Sequence, residues 1–385
     1  MIPYARQNIT QEDIDAVVAV LHSDWLTQGP AIERFERAVA DYCGVRYAVA
    51  TCNATAALHL GCLALGLGGG DTGWTSPITF VASANCLRYC GAKVDFVDID
   101  SETWNLDADE LARKLEQAAQ HGKIPKVVIP VHFGGQPCDM ERIRELSWQY
   151  GFAVIEDAAH AIGASYRCAP IGSCEYSDLT VFSFHPVKII TTGEGGMLLT
   201  NRQDLYEKLV LLRSHGITRD ADRMTEPSHG PWYYQQLELG YNYRMTDLQA
   251  ALGLCQLTRI DDFIVRRNEL AARYESLLEG LPLTLPVVKE DRRSSWHLYV
   301  VRLDPAHARI GRCEVFENLR RAGIGVNLHY IPVHTHPYYR RMGFKPGDFP
   351  EAERYYAEAI TLPLYPDLTE SMQDRVAEAL KGILA

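Results

Sequence analysis

Several signatures are missing from this chain of 385 residues, and each absence removes a class of function. The ten cysteines form no C-x-x-C pair, so a zinc ribbon or a thioredoxin-like motif has no support. Several sit in apolar runs such as L-G-C-L-A-L, where a free thiol behaves as a small hydrophobe, and all ten are read as structural. No run approaches ~18 uninterrupted apolar residues, and the opening M-I-P-Y-A-R-Q-N has no basic region followed by an apolar one. A cytoplasmic location is expected. Neither G-x-G-x-x-G nor a P-loop pattern occurs, which takes away the main support for dinucleotide or triphosphate binding. Basic charge is in deficit, 38 Lys+Arg against 49 Asp+Glu, a net −11 with histidine neutral. A nucleic-acid coat or an anionic membrane needs a basic face, so neither is expected as the main partner.

What is present is the mixture of a globular protein: 47% hydrophobic and 23% charged residues, on a length that allows roughly two domains. Thr10-Gln11-Glu12-Asp13 reads as a capping box opening a helix to about Leu21, and Pro30 starts another. Strands are expected over 45–51 and near 94–98, 127–131, 153–156 and 179–182, with helices near 80–90, 107–121 and 139–150. That alternation predicts parallel βα units, an α/β sheet buried on both faces. A periodic stretch from Thr246 to about Leu278, a break at Leu281-Pro282, a strand at 296–303 and helices near 312–322 and 369–384 suggest a smaller αβ unit. The expected division is 1–260, including an N-terminal arm 1–14, and 261–385.

Ligands of open α/β sheets gather at the carboxyl ends of strands, so residues just past Thr51, Ile155 and Phe182 carry most weight. Lysine is scarce, nine against 29 arginines, and eight of the nine have polar or charged neighbours. Lys188 is the exception, between Pro186-Val187 and Ile189-Ile190. Apolar surroundings lower a lysine pKa and favour the neutral amine that forms a Schiff base, although a snorkelling surface lysine is the competing reading. In A-V-I-E-D-A-A-H-A-I-G, Asp157 ends a strand, where it could hold a metal, orient a ribose or pair with a protonated ring nitrogen. Lys188 with Asp157 is the pair a pyridoxal phosphate site requires. His160 could stack on or hydrogen-bond the ring, or be a structural histidine. The turn T-C-N-A-T-A-A-L-H-L at 51–60 offers helix N–H groups and the Thr55 hydroxyl to a phosphate, or is an ordinary cap. His329, His334 and His336 invite a metal reading, but two prolines and no nearby carboxylate favour ligand contact, and no metal is expected. Asp95, Asp98 and Asp100 are read as solvated.

The stretches N-A-T-A-A-L, P-I-T-F-V-A-S-A-N, I-P-V-H-F-G-G, V-I-E-D-A-A-H-A-I-G, S-F-H-P-V-K and L-G-Y-N-Y-R-M-T-D-L-Q-A-A-L-G resemble, over nearly the whole chain, the DegT/StrS sugar aminotransferases. The resemblance implies the aspartate aminotransferase fold (type I), a PLP-dependent transferase with a large α/β sheet domain and a small C-terminal αβ domain. W-L-T-Q-G-P, S-F-H-P-V-K-x-I-T-T-G-E-G-G and L-H-Y-I-P-V-H are similar to the pseudaminic-acid-pathway 4-aminotransferase subgroup.

By that resemblance Lys188 is the Schiff-base lysine, Asp157 the partner of the pyridine nitrogen and Phe80 the aromatic stacked on the cofactor. Thr55, Ala56 and Ser183 are implied as phosphate contacts, and Asn242 as a contact made across a homodimer with a shared site. Tyr4, Leu26, Thr27, Gln28, Gly29, Ser183, His329, Tyr330, Ile331 and Pro332 fall where the subgroup meets its nucleotide sugar. Relatives often have Ser-Gly-Thr where this chain has Cys52-Asn53-Ala54, which leaves Thr55 as the hydroxyl of that turn. The implied partners are L-glutamate and a UDP-linked 4-keto-6-deoxy sugar, used in ping-pong order with a pyridoxamine phosphate form between half-reactions. A non-catalytic PLP-binding sensor would not need all of these residues, and a 3-dehydratase of this fold has His at the lysine position. A metal-dependent sugar hydrolase using the 328–336 histidines is the reading outside this fold. All the implied ligands are anionic, so the cleft is expected to reverse the overall charge with helix N-termini and arginines, Arg244 among them.

Overall fold

The computed structural model describes residues 1–384. In chain order the first strands are β1 (Tyr47–Thr51), β2 (Thr72–Thr75), β3 (Lys93–Phe96), β4 (Val127–Ile129) and β5 (Ala153–Asp157). A small hairpin of β6 (Ser165–Tyr166) and β7 (Ala169–Pro170) precedes β8 (Leu179–Ser183) and β9 (Gly196–Thr200). Helices α1 (Gln11–Leu21), α2 (Pro30–Cys43), α3 (Ala54–Ala64), α4 (Ala82–Tyr89), α5 (Ala108–Gln120), α6 (Met140–Tyr150) and α7 (Gln203–Arg213) alternate with them. Seven strands form one sheet in the order β1-β9-β8-β5-β4-β2-β3.

The strands β2, β3, β4, β5 and β8 pair in parallel as the alternation predicts, and β9 departs from that pattern by running antiparallel to both β1 and β8. A parallel return needs a crossover of a dozen or more residues, usually helical. The segment after Ser183 instead folds into a compact loop that reverses directly into β9. That reversal leaves the Lys188 loop at the carboxyl end of β8, in the interior of the strand order.

Both faces of the sheet are covered. On β5, Val154 faces the core with α2 and α6, while Ile155 faces the one with α3, α4 and α7. Phe182 and Val181 divide in the same way on β8. Each such fully buried side chain contributes ~1.5–3 kcal/mol, and a one-residue slip would reverse the whole set. The same alternation separates adjacent carboxylates. Glu156 turns to one face, 2.7 Å from His132 Nε2, and Asp157 to the other.

The second half of the chain carries the β10 (Ile217–Thr218) and β11 (Gln235–Gln236) hairpin, then α8 (Asp247–Leu257) and α9 (Ile260–Leu278). The strands β12 (Leu283–Thr284), β13 (Arg292–Arg293), β14 (Tyr299–Leu303) and β15 (Ala359–Leu362) and the helices α10 (Arg312–Arg321), α11 (Pro337–Arg340), α12 (Pro350–Glu358) and α13 (Glu370–Leu384) complete it. Helix α9 belongs to two cores: Phe263 and Ile264 pack on the large sheet, while Leu270, Tyr274 and Leu278 pack on β14, α10 and α13. Ile2 joins this smaller core, bridging to Ile324, while α1 packs on α8.

The capping box forms as the sequence predicts, with Thr10 N–H donating to Asp13 Oδ2 at 2.9 Å. The acidic strand end differs from the solvated reading. Asp98 is buried and accepts the N–H groups of Glu351 and Ala352 at 2.9 and 3.0 Å, capping α12, while burial pushes its carboxyl pKa up. Asp95 pairs with Lys114 at 2.8 Å. No helix among the described residues is long and apolar enough to cross a membrane.

Candidate active site

A cavity of about 910 Å³ opens at the carboxyl ends of β1, β5 and β8. The loop after β8 is pinned by its own backbone: Phe184 N–H bonds to Gly195, Thr192 N–H to Phe184, and the Thr191 hydroxyl to the Phe184 carbonyl at 3.0 Å. Ile189 and Ile190 are sunk into the core. With those anchors fixed, Lys188 is directed into the cavity, half-buried, and its Nζ has no hydrogen bond or ion pair among the described residues. Burial lowers its pKa to about 8, and the Asp157 carboxylate opposes that shift. The amine is therefore close to neutral under mildly alkaline conditions.

Asp157 ends β5 in the same cavity. Its Oδ2 accepts the Ser83 hydroxyl at 2.6 Å and its Oδ1 the Ala159 N–H at 3.1 Å. Asn53 caps α3 by accepting the Ala56 N–H at 2.8 Å, which leaves the N–H groups of Ala54 and Thr55 without an intrachain partner at the cavity wall. Helix N-terminal donors of this kind bind phosphate. The hydroxyls of Thr55 and Ser183 line the cavity beside them, and Phe80, 60% exposed, contributes a free aromatic face.

An amine, a carboxylate, an aromatic plate and an anion cradle thus surround one space, which is the donor set pyridoxal phosphate needs for its aldehyde, ring nitrogen, ring face and phosphate. Gly196 makes the cradle possible. A Cβ there would sit 2.5 Å from Ala54 N, so only glycine lets β9 approach the start of α3.

On the far wall His160 accepts Gly134 N–H on Nδ1 at 3.3 Å, which places its proton on Nε2, 3.1 Å from the Tyr330 hydroxyl. Burial first, then the Lys188 charge, push His160 well below the usual imidazole range and His329 down to about 3. Both are neutral, as is His297, whose ring centre is 4.4 Å from that of His160. Tyr4 reaches the same wall, 5.6 Å from the His329 ring.

Thr55, Ala56, Phe80, Asp157, His160, Ser183, Lys188, Tyr4, His329 and Tyr330 are thus brought together. Others lie elsewhere. Leu26, Thr27, Gln28 and Gly29 pack on the start of α8, with Gly29 N–H on Asp247 at 2.8 Å and Thr27 bridged to Thr246. Asn242 is exposed and bridged to Ser214, and Ile331 and Pro332 do not line the cavity. No arginine lines it among the described residues, Asp157 and Glu194 stand there with Lys188, and Arg244 is committed to Ser214 at 2.9 Å, so the expected reversal of charge by arginines is not found and the anion donors present are the α3 N-terminus and Lys188. His334 lies 2.9 Å from Glu353, a carboxylate that α12 supplies from beyond the histidine-rich segment. Sequence reasoning missed His59, Tyr89 and Tyr243, which line the cavity, and Ser83 behind Asp157. Only Ser83, one turn after Phe80 in P-I-T-F-V-A-S, carried a local signal.

A profile of the DegT/DnrJ/EryC1/StrS aminotransferase family matches residues 7–381. The spore coat polysaccharide biosynthesis protein SpsC of Bacillus subtilis is 43% identical over 386 residues, covering 100% of this chain and 97% of that protein. Spr1654 from Streptococcus pneumoniae, solved in its PMP form, superposes with a TM-score of 0.90 at 32% identity, covering 100% of this chain and 99% of that one. Helicobacter pylori PseC, an aminotransferase involved in the biosynthesis of pseudoaminic acid, superposes with a TM-score of 0.90 at 29% identity over the same shares of the two chains.

Proposed function

We propose that this chain, which belongs to the DegT/DnrJ/EryC1/StrS aminotransferase family of PLP-dependent enzymes, moves the amino group of L-glutamate to C4 of UDP-2-acetamido-2,6-dideoxy-β-L-arabino-hexos-4-ulose. The observation that carries the sugar assignment is the full-length likeness to PseC. Pyridoxal phosphate, when bound, supplies the electron sink that lets a C–H proton leave. Asp157 keeps the ring nitrogen protonated, and Ser83 fixes that carboxylate. The start of α3, Thr55 and Ser183 hold the phosphate, and Phe80 covers the ring. Lys188 Nζ takes the proton from Cα of glutamate in one half-reaction and returns a proton to C4 of the sugar in the other. Such general base work contributes about 10²–10⁴-fold, with positioning adding to it. His160 and His329 have both ring nitrogens engaged within the chain, so in the neutral wall it is the Tyr330 hydroxyl that offers a hydrogen bond to the sugar. Asn242 and Leu26 to Gly29, which lie outside their own cavity, are assigned to the site of a second copy, which makes the working unit a homodimer.

A second reading has its own support: SpsC, at 43% identity, is named for spore coat polysaccharide, so another nucleotide-sugar 3- or 4-aminotransferase is the alternative. Incubation with PLP, L-glutamate and a panel of UDP- and dTDP-keto-sugars, with products analysed by mass spectrometry and NMR, separates the two. A UDP-linked 4-amino product is expected; a dTDP preference or a 3-amino product overturns the narrower assignment. Lys188→Ala is expected to abolish turnover, and multiple turnovers by that variant would remove Lys188 from its role.

A further inference from the structure

Arg267 lies in the middle of α9, 1% exposed, and no carboxylate pairs with it among the described residues. Its Nη1 donates instead to three carbonyls, those of Trp296 at 3.0 Å, Leu364 at 3.2 Å and His297 at 3.4 Å. Burial lowers its pKa to about 10, which leaves it charged at neutral pH. A guanidinium desolvated without a counter-ion is expensive, so its presence points to a role beyond packing. Two of the carbonyls belong to a short strap, Ser294 to His297, that joins β13 to β14. Trp296 has a φ of +49° there, a left-handed backbone that bulky residues rarely adopt. Asn268, next to Arg267 on α9, donates to the Ser294 carbonyl at 3.3 Å. The N–H groups of Ser295 and Leu298 both donate at 3.1 Å, to the carbonyls of Gly135 and Gly134. Gly135 permits that approach: its φ is +103°, and a Cβ there would stand 2.9 Å from Trp296 N.

The strap in turn fixes His160 at three points. The Ser295 hydroxyl donates to the His160 carbonyl at 2.7 Å, and the His297 ring packs on the His160 ring at 4.4 Å between centres. Gly134, whose carbonyl Leu298 holds, donates its N–H to His160 Nδ1 at 3.3 Å. That bond leaves the imidazole proton on Nε2, 3.1 Å from the Tyr330 oxygen. Because this oxygen already accepts, the hydrogen of the Tyr330 hydroxyl is free to be donated elsewhere, and Tyr330 stands in the cavity wall. Burial pushes the phenol pKa up, so the hydrogen stays in place.

We propose that Arg267 is a positioning residue for the sugar half-reaction: by holding the 294–297 strap it aims the His160 proton at Tyr330, and so turns the Tyr330 hydrogen toward an oxygen of the keto-sugar. This rests on the reading of Tyr330 as the sugar's hydrogen-bond donor. Helix α9 packs in both cores, so one residue ties the seating of the small unit to a donor in the cavity wall.

The test is steady-state kinetics of the PLP-loaded full-length protein with L-glutamate and the keto-sugar that the substrate panel shows to be used. In ping-pong order, kcat/KM for each substrate reports its own half-reaction. Arg267→Met and Tyr330→Phe are each expected to lower kcat/KM for the keto-sugar about tenfold, the worth of one hydrogen bond, and Arg267→Met to leave that for L-glutamate within about twofold. In the Tyr330→Phe background, Arg267→Met should cost less than about twofold more, because both changes act on one donor. If Arg267→Met does not fold, Ser295→Ala, which removes the bond to the His160 carbonyl, takes its place in the same cycle. Losses that multiply, equal losses for both substrates, or an unimpaired Arg267→Met beside an impaired Tyr330→Phe overturn the positioning role and leave the sugar contact standing. No loss with Tyr330→Phe removes the sugar contact itself, and the positioning role with it.

Discussion

The Ser83 hydroxyl donates a 2.6 Å hydrogen bond to Asp157 Oδ2, and the Thr79 hydroxyl stands 2.7 Å from that of Ser83. The carboxylate is held on its second oxygen by Ala159 N–H, so it presents one orientation to the cavity. A hydrogen bond to a charged group is worth ~1.5–3 kcal/mol. Ser83→Ala is therefore expected to weaken PLP binding to the apo-protein by roughly tenfold or more. Ser83→Thr should restore most of it. Titration of the apo-protein with PLP measures this, and an unchanged affinity for Ser83→Ala would mean that Asp157 needs no such support.

Lys188 makes the apo-protein's stability depend on pH in a defined direction. Its pKa falls from 10.5 to about 8 on folding, so between these values the unfolded chain binds the extra proton and stability rises with pH. Below about 8 the charged amine carries its full burial cost in the folded state. Lys188→Met should thus stabilise the apo-protein below pH 8, and the gain should fade toward pH 10.5. Urea denaturation across that range checks it; a gain that grew with pH would contradict the assignment.

Gly196→Ala tests the anion cradle without touching a polar group. The added Cβ would meet Ala54 N and Asn53 C at 2.5 Å, and both are backbone atoms that cannot rotate away. Overpacking of this kind costs ~1–3 kcal/mol and displaces the start of α3. The expected result is a loss of affinity for PLP and for inorganic phosphate together. If PLP affinity fell while phosphate affinity held, the cradle would lie elsewhere.

Much of this was legible because it is local. The capping box at Thr10 and Asp13, Pro30 at the first position of α2 and the strand and helix periodicity up to β5 depend on neighbours within a turn or a pleat. Lys188 and Asp157 stood out for similar reasons, one by its apolar flanks and the other by its place at a strand end. The short strand β2 escaped notice, since T-G-W-T carries almost no alternation.

What remained hidden concerns distance in space between residues far apart in the chain. Asp98 looked solvated because α12, which it caps, begins more than 250 residues later. The reversed β9 was hidden for a related reason: direction depends on whether a helix fills the preceding connection, and the Lys188 loop is pinned by long-range packing of Ile189 and Ile190.

By itself, then, the sequence determined many of the helices and strands, though not β2, α7, α12 or β15, and which lysine and aspartate were candidates for chemistry, all properties of short stretches governed by backbone geometry and side-chain alternation. Only the tertiary structure decided that Ser83 reaches Asp157, that no arginine lines the cavity among the described residues, and that Cys62 and Cys86 face each other. Those relationships depend on how α3 and α4 pack over the sheet, and packing is settled by the whole core at once rather than by any local spacing.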